Sequence, residues 1–133
     1  MVDLATHSDN GSIFLKDIAK RMQVSEKYLG ILVLSLKNAG LVHSTRGAHG
    51  GYSLARDPSE ISMKEIVQSL EGSIGLVKCV DNPDTCSKSI HCAAREIWEE
   101  SSRAMEKVLE KKSLADLAER KKALNSAGPL YFI

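Results

Sequence analysis

Residues 16–40, KDIAKRMQVSEKYLGILVLSLKNAG, predict two helices joined by a tight turn. The first helix carries apolar side chains on one face: Ile18, Ala19 and Met22. Ser25 is a favourable N-cap for a second helix over 26–39, and Gly40 follows at the position that usually needs a left-handed backbone. Two helices connected in this way predict a helix-turn-helix.

The second helix has an inner and an outer face. The expected core residues follow the i, i+3, i+4 order and are Tyr28, Leu29, Leu32, Val33 and Leu36. The outer face would enter the major groove in a DNA reader, and it comprises Glu26, Lys27, Gly30, Ile31, Leu34 and Ser35. Gly30, Ile31 and Leu34 cannot donate side-chain hydrogen bonds. They could contact thymine methyl groups, or protein could cover them.

A short hairpin is predicted next. Residues 41–45 alternate like a strand, 51–55 could pair with them, and the glycine-rich tip 46–50 lies between. A hairpin directly after a helix-turn-helix is typical of a wing, and Arg46 suits the narrow, negative minor groove. The alternative is an ordinary surface hairpin. We expect His49 to contact phosphate or solvent rather than a metal.

All three cysteines lie within residues 79–92, CVDNPDTCSKSIHC. The C-x6-C-x5-C spacing, with a turn at 82–84, could bring three thiolates to one soft metal centre. The fourth ligand stays open among the residues within reach, which include His91, Asp81 and Asp84. A zinc site and cysteines without metal are alternatives, because the spacing is not a common zinc pattern. The odd number of cysteines argues against a disulfide framework.

The C-terminal part is predicted to be helical. Ser62 and Glu65 form a capping-box pattern before a helix that ends at Gly72. From Ala93 a long amphipathic helix has a narrow apolar seam consisting of Ala94, Ile97, Trp98, Ser101, Met105, Val108 and Leu109. Such a seam favours pairing with a second copy, and packing on its own domain is the alternative. Ser113 would cap a last helix over 114–124, and we expect the apolar end 130–133 to dock on the protein.

Composition narrows the class of protein. The chain has 133 residues and a net charge of +1. Residues 1–57 hold seven basic against five acidic side chains, which permits a nucleic-acid partner without demanding one. No apolar run approaches the roughly 20 residues that cross a bilayer. The odd cysteine count and the lack of a leader favour a cytoplasmic location. An enzyme is least favoured, since no phosphate loop, H-E-x-x-H or G-x-S-x-G motif occurs.

Several of these segments resemble the Rrf-two family of bacterial winged-helix regulators, specifically its IscR-like group. The matching residues are Ile18, Ala19, SEKYL at 25–29, AGLV at 39–42, RG at 46–47, GGYSL at 50–54, Ile66, Val67, LEG at 70–72 and the three cysteines. The resemblance covers about residues 1–125. It implies a homodimeric transcription factor that inserts helix 25–38 into the major groove and wing 46–52 into the minor groove.

The resemblance also implies a cofactor. In the cluster-binding members, cysteines that match Cys79, Cys86 and Cys92 hold a [2Fe–2S] or [4Fe–4S] cluster, and other members lack it. A histidine ligand used by some relatives would fall at Arg95, whereas the nearest histidine here is His91. Family members usually begin about a dozen residues earlier, so we expect this chain to start inside the family's first helix. The family often has polar residues at Gly30 and Ile31, so base specificity is not inherited.

The resulting hypothesis is a mainly α winged helix-turn-helix protein with a small β-wing and a long C-terminal dimerisation helix. We expect a DNA-binding domain at 1–72, a cluster-binding loop at 73–92 and a dimerisation helix and tail at 93–133. Its partners would be double-stranded DNA and a second copy, and not a membrane. The cluster would set the separation of the two recognition helices and hence the affinity for DNA.

The expected DNA contacts come from both helices and the wing, and they are Lys16, Ser25, Glu26, Lys27, Tyr28, Lys37, Arg46, Gly47, His49, Gly50 and Gly51. Lys16, Lys27 and Lys37 would bind phosphates, and Arg46 would read the minor groove. The rival hypothesis is a zinc- or thiol-switched protein-interaction module that uses the helix-turn-helix as a docking surface.

Overall fold

The structure is a computed structural model, and it describes residues 1–7, 11–47 and 50–126. These residues form seven α-helices and a two-stranded antiparallel sheet. The elements are α1 (Val2–Thr6), α2 (Leu15–Met22), α3 (Glu26–Asn38), β1 (Val42–Thr45), β2 (Gly51–Leu54), α4 (Met63–Glu71), α5 (Lys78–Asp81), α6 (Ala93–Glu110) and α7 (Leu114–Ser126). Short 3₁₀ turns occupy 58–60, 83–85 and 89–91. The predicted mainly helical fold with a small β-hairpin is therefore confirmed.

Helices α2 and α3 form the predicted helix-turn-helix. The chain leaves α2 through Gln23, whose φ of 55° is left-handed. The hydroxyl of Ser25 then accepts a hydrogen bond of 3.2 Å from the backbone N–H of Tyr28, as expected for an N-cap. Gly40 follows α3 with φ +71°, a conformation that a side chain would strain. The turn is fixed by local backbone chemistry.

The hairpin is anchored to the segment before α2. Strands β1 and β2 pair in the register Val42 with Leu54 and Thr45 with Gly51. On its other edge, Tyr52 exchanges backbone hydrogen bonds of 2.8 and 2.9 Å with Ile13. The wing is therefore held on two sides. The chain connects it directly to α3, and the hydrogen bonds to Ile13 hold it to the segment before α2.

A single buried cluster joins the N-terminal elements to the last helix. Its apolar members include Leu4, Ile18, Val33, Leu36, Leu41, Val42, Ile61, Ile66, Leu114 and Ala118. Leu114 is fully buried, and its N–H donates a 2.8 Å hydrogen bond to the carbonyl of Ile61. Helix α7 thus packs on the winged region, against α1. The three-part division of the chain stays a prediction.

The first turn of α3 departs from the sequence-based expectation. Val33 and Leu36 are buried as predicted, but Tyr28 is 54% exposed and Met22 is 48% exposed. The expected burial of Tyr28 is therefore wrong. Both side chains border an apolar groove of ≈ 360 Å³, so they lie at its rim, beyond the closely packed centre of the core.

Helix caps and an ion pair secure the remaining elements. Ser62 and Glu65 form the predicted capping box at α4. Ser113 caps α7, which extends to Ser126. The predicted docking of 130–133 falls outside the described residues. None of the described helices has the length and apolar character needed to span a membrane.

Buried Asp3 of α1 binds Arg21 of α2 in a bidentate manner, at 2.7 to 3.2 Å. Burial alone would raise the pKa of Asp3, but the hydrogen bonds and charge of Arg21 outweigh it and hold the pKa below its ordinary value.

Candidate DNA-binding surface and cysteine loop

A cleft of ≈ 570 Å³ lies between the start of α2, the start of α3 and the wing. Six of the predicted DNA contacts line it: Lys16, Glu26, Arg46, Gly47, Gly50 and Gly51. The helix-turn-helix supplies the first two, and the hairpin tip supplies the others. The fold therefore brings the predicted major-groove and minor-groove elements to one surface.

The remaining predicted contacts lie elsewhere. Ser25 is occupied as the N-cap of α3, although its hydroxyl stays exposed. Lys27 is exposed on the outer face of α3, and Lys37 lies in its last turn, away from the cleft. Tyr28 borders the apolar groove. His49 falls outside the described residues.

The wing glycines have a structural reason to be glycines. A Cβ on Gly50 would lie 2.6 Å from the carbonyl oxygen of Thr45, and one on Gly51 would lie 2.6 Å from that of Ile13. Gly51 also has φ +138°. Both glycines therefore permit close backbone approach within the wing, whether or not they touch DNA.

The cleft has mixed electrostatics. The ammonium group of Lys16 lies 5.4 Å from the ring centroid of Phe14, within range of a cation–π interaction. Arg46 adds a second cation at the hairpin tip, while Glu26 places a carboxylate at the start of α3. Cations suit phosphate oxygens, and a carboxylate can accept a hydrogen bond from a cytosine amino group. The arrangement can therefore combine backbone binding with base recognition.

The cysteine loop is folded by short turns. Cys79 is half-buried in α5, Cys86 is exposed after the 83–85 turn, and half-buried Cys92 is the N-cap residue of α6. The Asn82 side chain accepts a 3.1 Å hydrogen bond from the N–H of Asp84, which creates the predicted turn. His91 is exposed beside Cys92.

The three thiols are free, and they are not assembled into a binding site. The described residues include no group of three or more His, Cys, Asp or Glu side chains placed to hold a metal ion. The donor set suits a cluster, because iron–sulfur clusters are held chiefly by cysteine thiolates. A cluster would require all three sulfur atoms to face one centre, and the described residues form no such group around a single metal ion.

The loop is anchored to α6 at two points. Arg95 Nε donates a 3.0 Å hydrogen bond to the carbonyl oxygen of Cys79, and its other end pairs with Glu99 at 2.7 Å. The N–H of Leu76 donates a 3.1 Å hydrogen bond to the hydroxyl of buried Ser102. Two side chains of α6 therefore bond directly to the backbone of the loop and of the segment before it.

The opposite side of α6 is apolar and exposed. Its large side chains there are Ile97, 63% exposed, Trp98, 42%, Met105, 36%, and Val108, 64%. All four belong to the predicted dimerisation seam. The other side packs against α4 and α5, where Lys64 Nζ lies 3.3 Å from Glu106. Packing within the chain thus leaves these four residues exposed, while Ser101 and Leu109 of the seam are half-buried.

A family model described as "Rrf2: Iron-dependent Transcriptional regulator" matches residues 1–120. The chain belongs to the Rrf2 family. It is accordingly a transcriptional regulator of that family and not an enzyme, and the predicted resemblance is confirmed. Family membership also implies DNA as a partner. Which residues touch DNA, and which hold a metal, remain predictions.

Relatives in the Rrf2 family carry different regulatory names. Protein rrf2 of Nitratidesulfovibrio vulgaris is 38% identical over 117 residues, which are 88% of this chain and 78% of the relative. The regulator CymR of Bacillus subtilis is 40% identical over 118 residues, covering 89% and 80%. The regulator IscR of Photorhabdus laumondii is 34% identical over 128 residues, covering 96% and 77%.

Solved Rrf2-family structures have the same fold. B. subtilis CymR, described as the global cysteine regulator, has a TM-score of 0.73 at 39% identity, covering 90% of this chain and 87% of its own. T. potens IscR has a TM-score of 0.72 at 38% identity, covering 90% and 78%. The winged-helix fold of the family is therefore confirmed.

Sequence reasoning missed the residues that anchor the loop. Arg95 was considered only as the position at which some relatives have a histidine ligand, and Ser102 was not considered. The Arg95 and Glu99 spacing of four residues is a visible helix-pair signal. The bonds to Cys79 and Leu76 span 16 and 26 residues, so no local pattern reveals them.

Proposed function

We propose that this Rrf2-family regulator is a dimer whose affinity for DNA is controlled by an iron–sulfur cluster held by Cys79, Cys86 and Cys92. The observation that carries the proposal is the anchoring of a loop with three free cysteines to α6, whose opposite face is apolar and exposed. The IscR relatives and the iron-dependent family description support it. Binding to DNA implies a cytoplasmic location.

The three thiolates would hold a [2Fe–2S] or [4Fe–4S] cluster, for which cysteine thiolates are the usual ligands. When bound, such a group supplies sensitivity to iron supply and oxidation. His91 is the candidate fourth ligand, since it is exposed and adjacent to Cys92. Asp81 is a poorer candidate because its carboxylate packs against the backbone of Gly75.

Loop closure would act on DNA through packed elements. Arg95 and Ser102 tie the loop to α6, α6 packs on α4, and α4 packs on α3. If two copies pair through the exposed α6 seam, any shift of α6 changes the separation of the two α3 helices. Half-sites on DNA require a fixed separation of about one helical turn, so affinity would follow the state of the loop.

The proposed DNA contacts combine positioning with reading. Lys16 and Lys27 would bind phosphates near the N-terminus of α3, with Lys37 a third phosphate contact at its other end. Arg46 would enter the minor groove from the wing tip, and Glu26 would face base edges. Family membership favours DNA over a protein as the occupant of this surface.

The test is anaerobic purification of wild type and Cys86→Ser, with visible absorption, iron and sulfide analysis and DNA-binding assays on the same samples. Cys86 is exposed, so the substitution should leave the fold intact. Neighbouring exposed Ser87→Ala is the matched control. We expect wild type and Ser87→Ala to be coloured and to contain iron and sulfide in near-equal amounts. Cys86→Ser should lose the colour, the iron and the sulfide, and its affinity for DNA should change.

A thiol switch without metal is the second candidate. It is favoured by the three free cysteines, which form no metal-holding group among the described residues, and by structural kinship to Staphylococcus aureus CymR, which was solved in an oxidised form, with a TM-score of 0.70 at 36% identity. Colourless wild type from anaerobic cells, whose DNA affinity nevertheless changes with thiol oxidation, would support the switch and refute the cluster. Stoichiometric zinc without sulfide would refute both.

A further inference from the structure

The middle of the outer face of α3 is apolar. Ile31 is 60% exposed and Leu34 is 58% exposed, while Val33 and Leu36 point into the core from the same helix. Isolated exposed aliphatic residues are common on proteins. These two are adjacent on the helix that, in a helix-turn-helix, lies in the major groove.

This stretch of α3 offers little for hydrogen bonding. Gly30 has no side chain, and its backbone faces α2, because a Cβ there would lie 3.7 Å from Leu15 Cδ2. The hydroxyl of Ser25 is engaged in the N-cap. Exposed polar side chains lie at the two ends instead, with Glu26 and Lys27 in the first turn and Lys37 and Asn38 in the last, while Ser35 between them is half-buried. The exposed side chains at the centre of this face, Ile31 and Leu34, are therefore apolar.

The apolar feature of the major groove is the C5-methyl group of thymine, since the other base edges present hydrogen-bond donors and acceptors. Building on the DNA-binding role proposed above, we infer that Ile31 contacts a thymine methyl group in each half-site and is a specificity-determining residue. At 1.5 Å per residue, Ile31 lies about 7.5 Å along the axis from Glu26. Ile31 therefore follows the N-terminal residues of α3 by about one and a half turns, still within the half of the helix nearest the wing cleft.

The test uses an operator that the full-length chain selects from a pool of random duplexes. The selected duplex is then made with thymine and with deoxyuridine, which keeps the same pairing edge and lacks only the methyl group. Affinities are compared by fluorescence anisotropy at one salt concentration. We expect wild type to bind the deoxyuridine duplex about fourfold more weakly for each contacted methyl, the usual effect of burying one such group.

Variants assign the effect to a side chain. Ile31→Ala should bind the thymine operator more weakly than wild type and should lose the discrimination against deoxyuridine, since both changes remove the same contact. Leu34→Ala should keep at least the part of the discrimination that Ile31 provides. Leu124→Ala is the control, because Leu124 is 57% exposed on the distant helix α7 and should behave like wild type.

The outcomes separate this inference from the proposed function. Failure to select any DNA would overturn the DNA-binding role itself. A selected operator that wild type binds equally with thymine and deoxyuridine would leave that role standing and overturn the role of Ile31. Undiminished discrimination in Ile31→Ala would also overturn it, since another residue must then read the methyl group.

Discussion

The winged region and the cysteine loop differ in how they are held. Leu41 and Ile61 in the winged region are at most 1% exposed and belong to one continuous core. In the loop, Ile90 is 82% exposed, and hydrogen bonds to Arg95 and Ser102 attach the segment to α6. Regions with few buried contacts rearrange at low free-energy cost. The difference separates a winged region of fixed shape from a loop that can rearrange at a lower cost in free energy.

The test with the largest expected effect replaces one isoleucine by alanine in each region and compares the change in the free energy of unfolding. Ile61→Ala should lower the free energy of unfolding by about 2–5 kcal/mol, because Ile61 is fully buried and a cavity would remain. Ile90→Ala should change it by less than about 0.5 kcal/mol. Urea denaturation followed by circular dichroism measures both. Comparable losses would mean that the loop carries as much packing as the core.

The next test concerns the exposed face of α6. Ile97→Glu should leave the fold of one chain intact, because Ile97 is 63% exposed. It should weaken a dimer built on this face by roughly 100-fold, since a carboxylate would be buried without a partner. Sedimentation velocity over a concentration series measures the association. Leu124→Glu on α7 is the control, and equal effects of the two variants would exclude α6 as the dimer interface.

A third test addresses the ion pair between α1 and α2 in the winged region. Asp3→Asn should cost about 1–3 kcal/mol of unfolding free energy at pH 7, since charged hydrogen bonds to Arg21 are lost from a buried site. The pKa of Asp3 is lower in the folded than in the unfolded chain, so its stabilisation is complete above the unfolded value of about 3.9.

The advantage of wild type over Asp3→Asn should therefore shrink as the pH falls below about 4, through the depressed folded pKa of Asp3. Urea denaturation at pH 7, 5 and 3 measures this difference. The contributions of the other carboxylates to the pH dependence of the unfolding free energy cancel in this difference, because both proteins contain them. A difference that stays constant with pH would show that the substitution disturbs packing, and that the charge of Asp3 is not the cause.

Much of the winged region follows from local sequence signals. Ser25 before a helix, Gly40 after it and the Ser62 and Glu65 pair act within four residues, so a pattern suffices to find them. The burial of Tyr28 was predicted wrongly, because helical spacing gives the direction of a side chain but not whether other elements cover it. The rim of the groove depends on where α1 and α4 lie, and that is decided by tertiary packing.

The cysteine loop was predictable in composition more than in geometry. Spacing and the turn at Asn82 identified the three thiols and their loop. The sequence could not give the distances between the thiols, because loop residues lack a periodic face that fixes where side chains point. The anchors at Arg95 and Ser102 bridge distant residues, so they emerge only from the structure.

The fourth test examines the wing. Arg46→Ala should lower the affinity of the dimer for DNA about tenfold and reduce the salt slope by about two, because each copy loses one cation from the duplex. Anisotropy titrations between 50 and 200 mM salt (roughly the range over which such slopes are measured) give both values. Arg103→Ala, an exposed arginine on α6, is the control. An unchanged slope in Arg46→Ala would show that the wing tip does not touch the duplex.

The last test concerns the anchor between the two regions, where a small effect on stability is expected. Arg95→Met retains an aliphatic chain but removes the hydrogen bond to Cys79 and the pair with Glu99, so we expect a loss of less than about 1 kcal/mol. In reduced, metal-free protein, Cys79 should then react several-fold faster with iodoacetamide, because α5 is released from α6. Exposed Cys86 should react at its wild-type rate.

Mass spectrometry of the alkylated peptides separates the two thiols, and Arg103→Met controls for the loss of an arginine from the same helix. The ratio of the Cys79 and Cys86 rates is informative because both thiols share one loop and one reagent. If Arg95→Met leaves that ratio unchanged, the carbonyl bond does not restrain the loop. The Ser102 contact must then carry the coupling, since it is the other described hydrogen bond that joins residues 73–81 to α6 through a side chain.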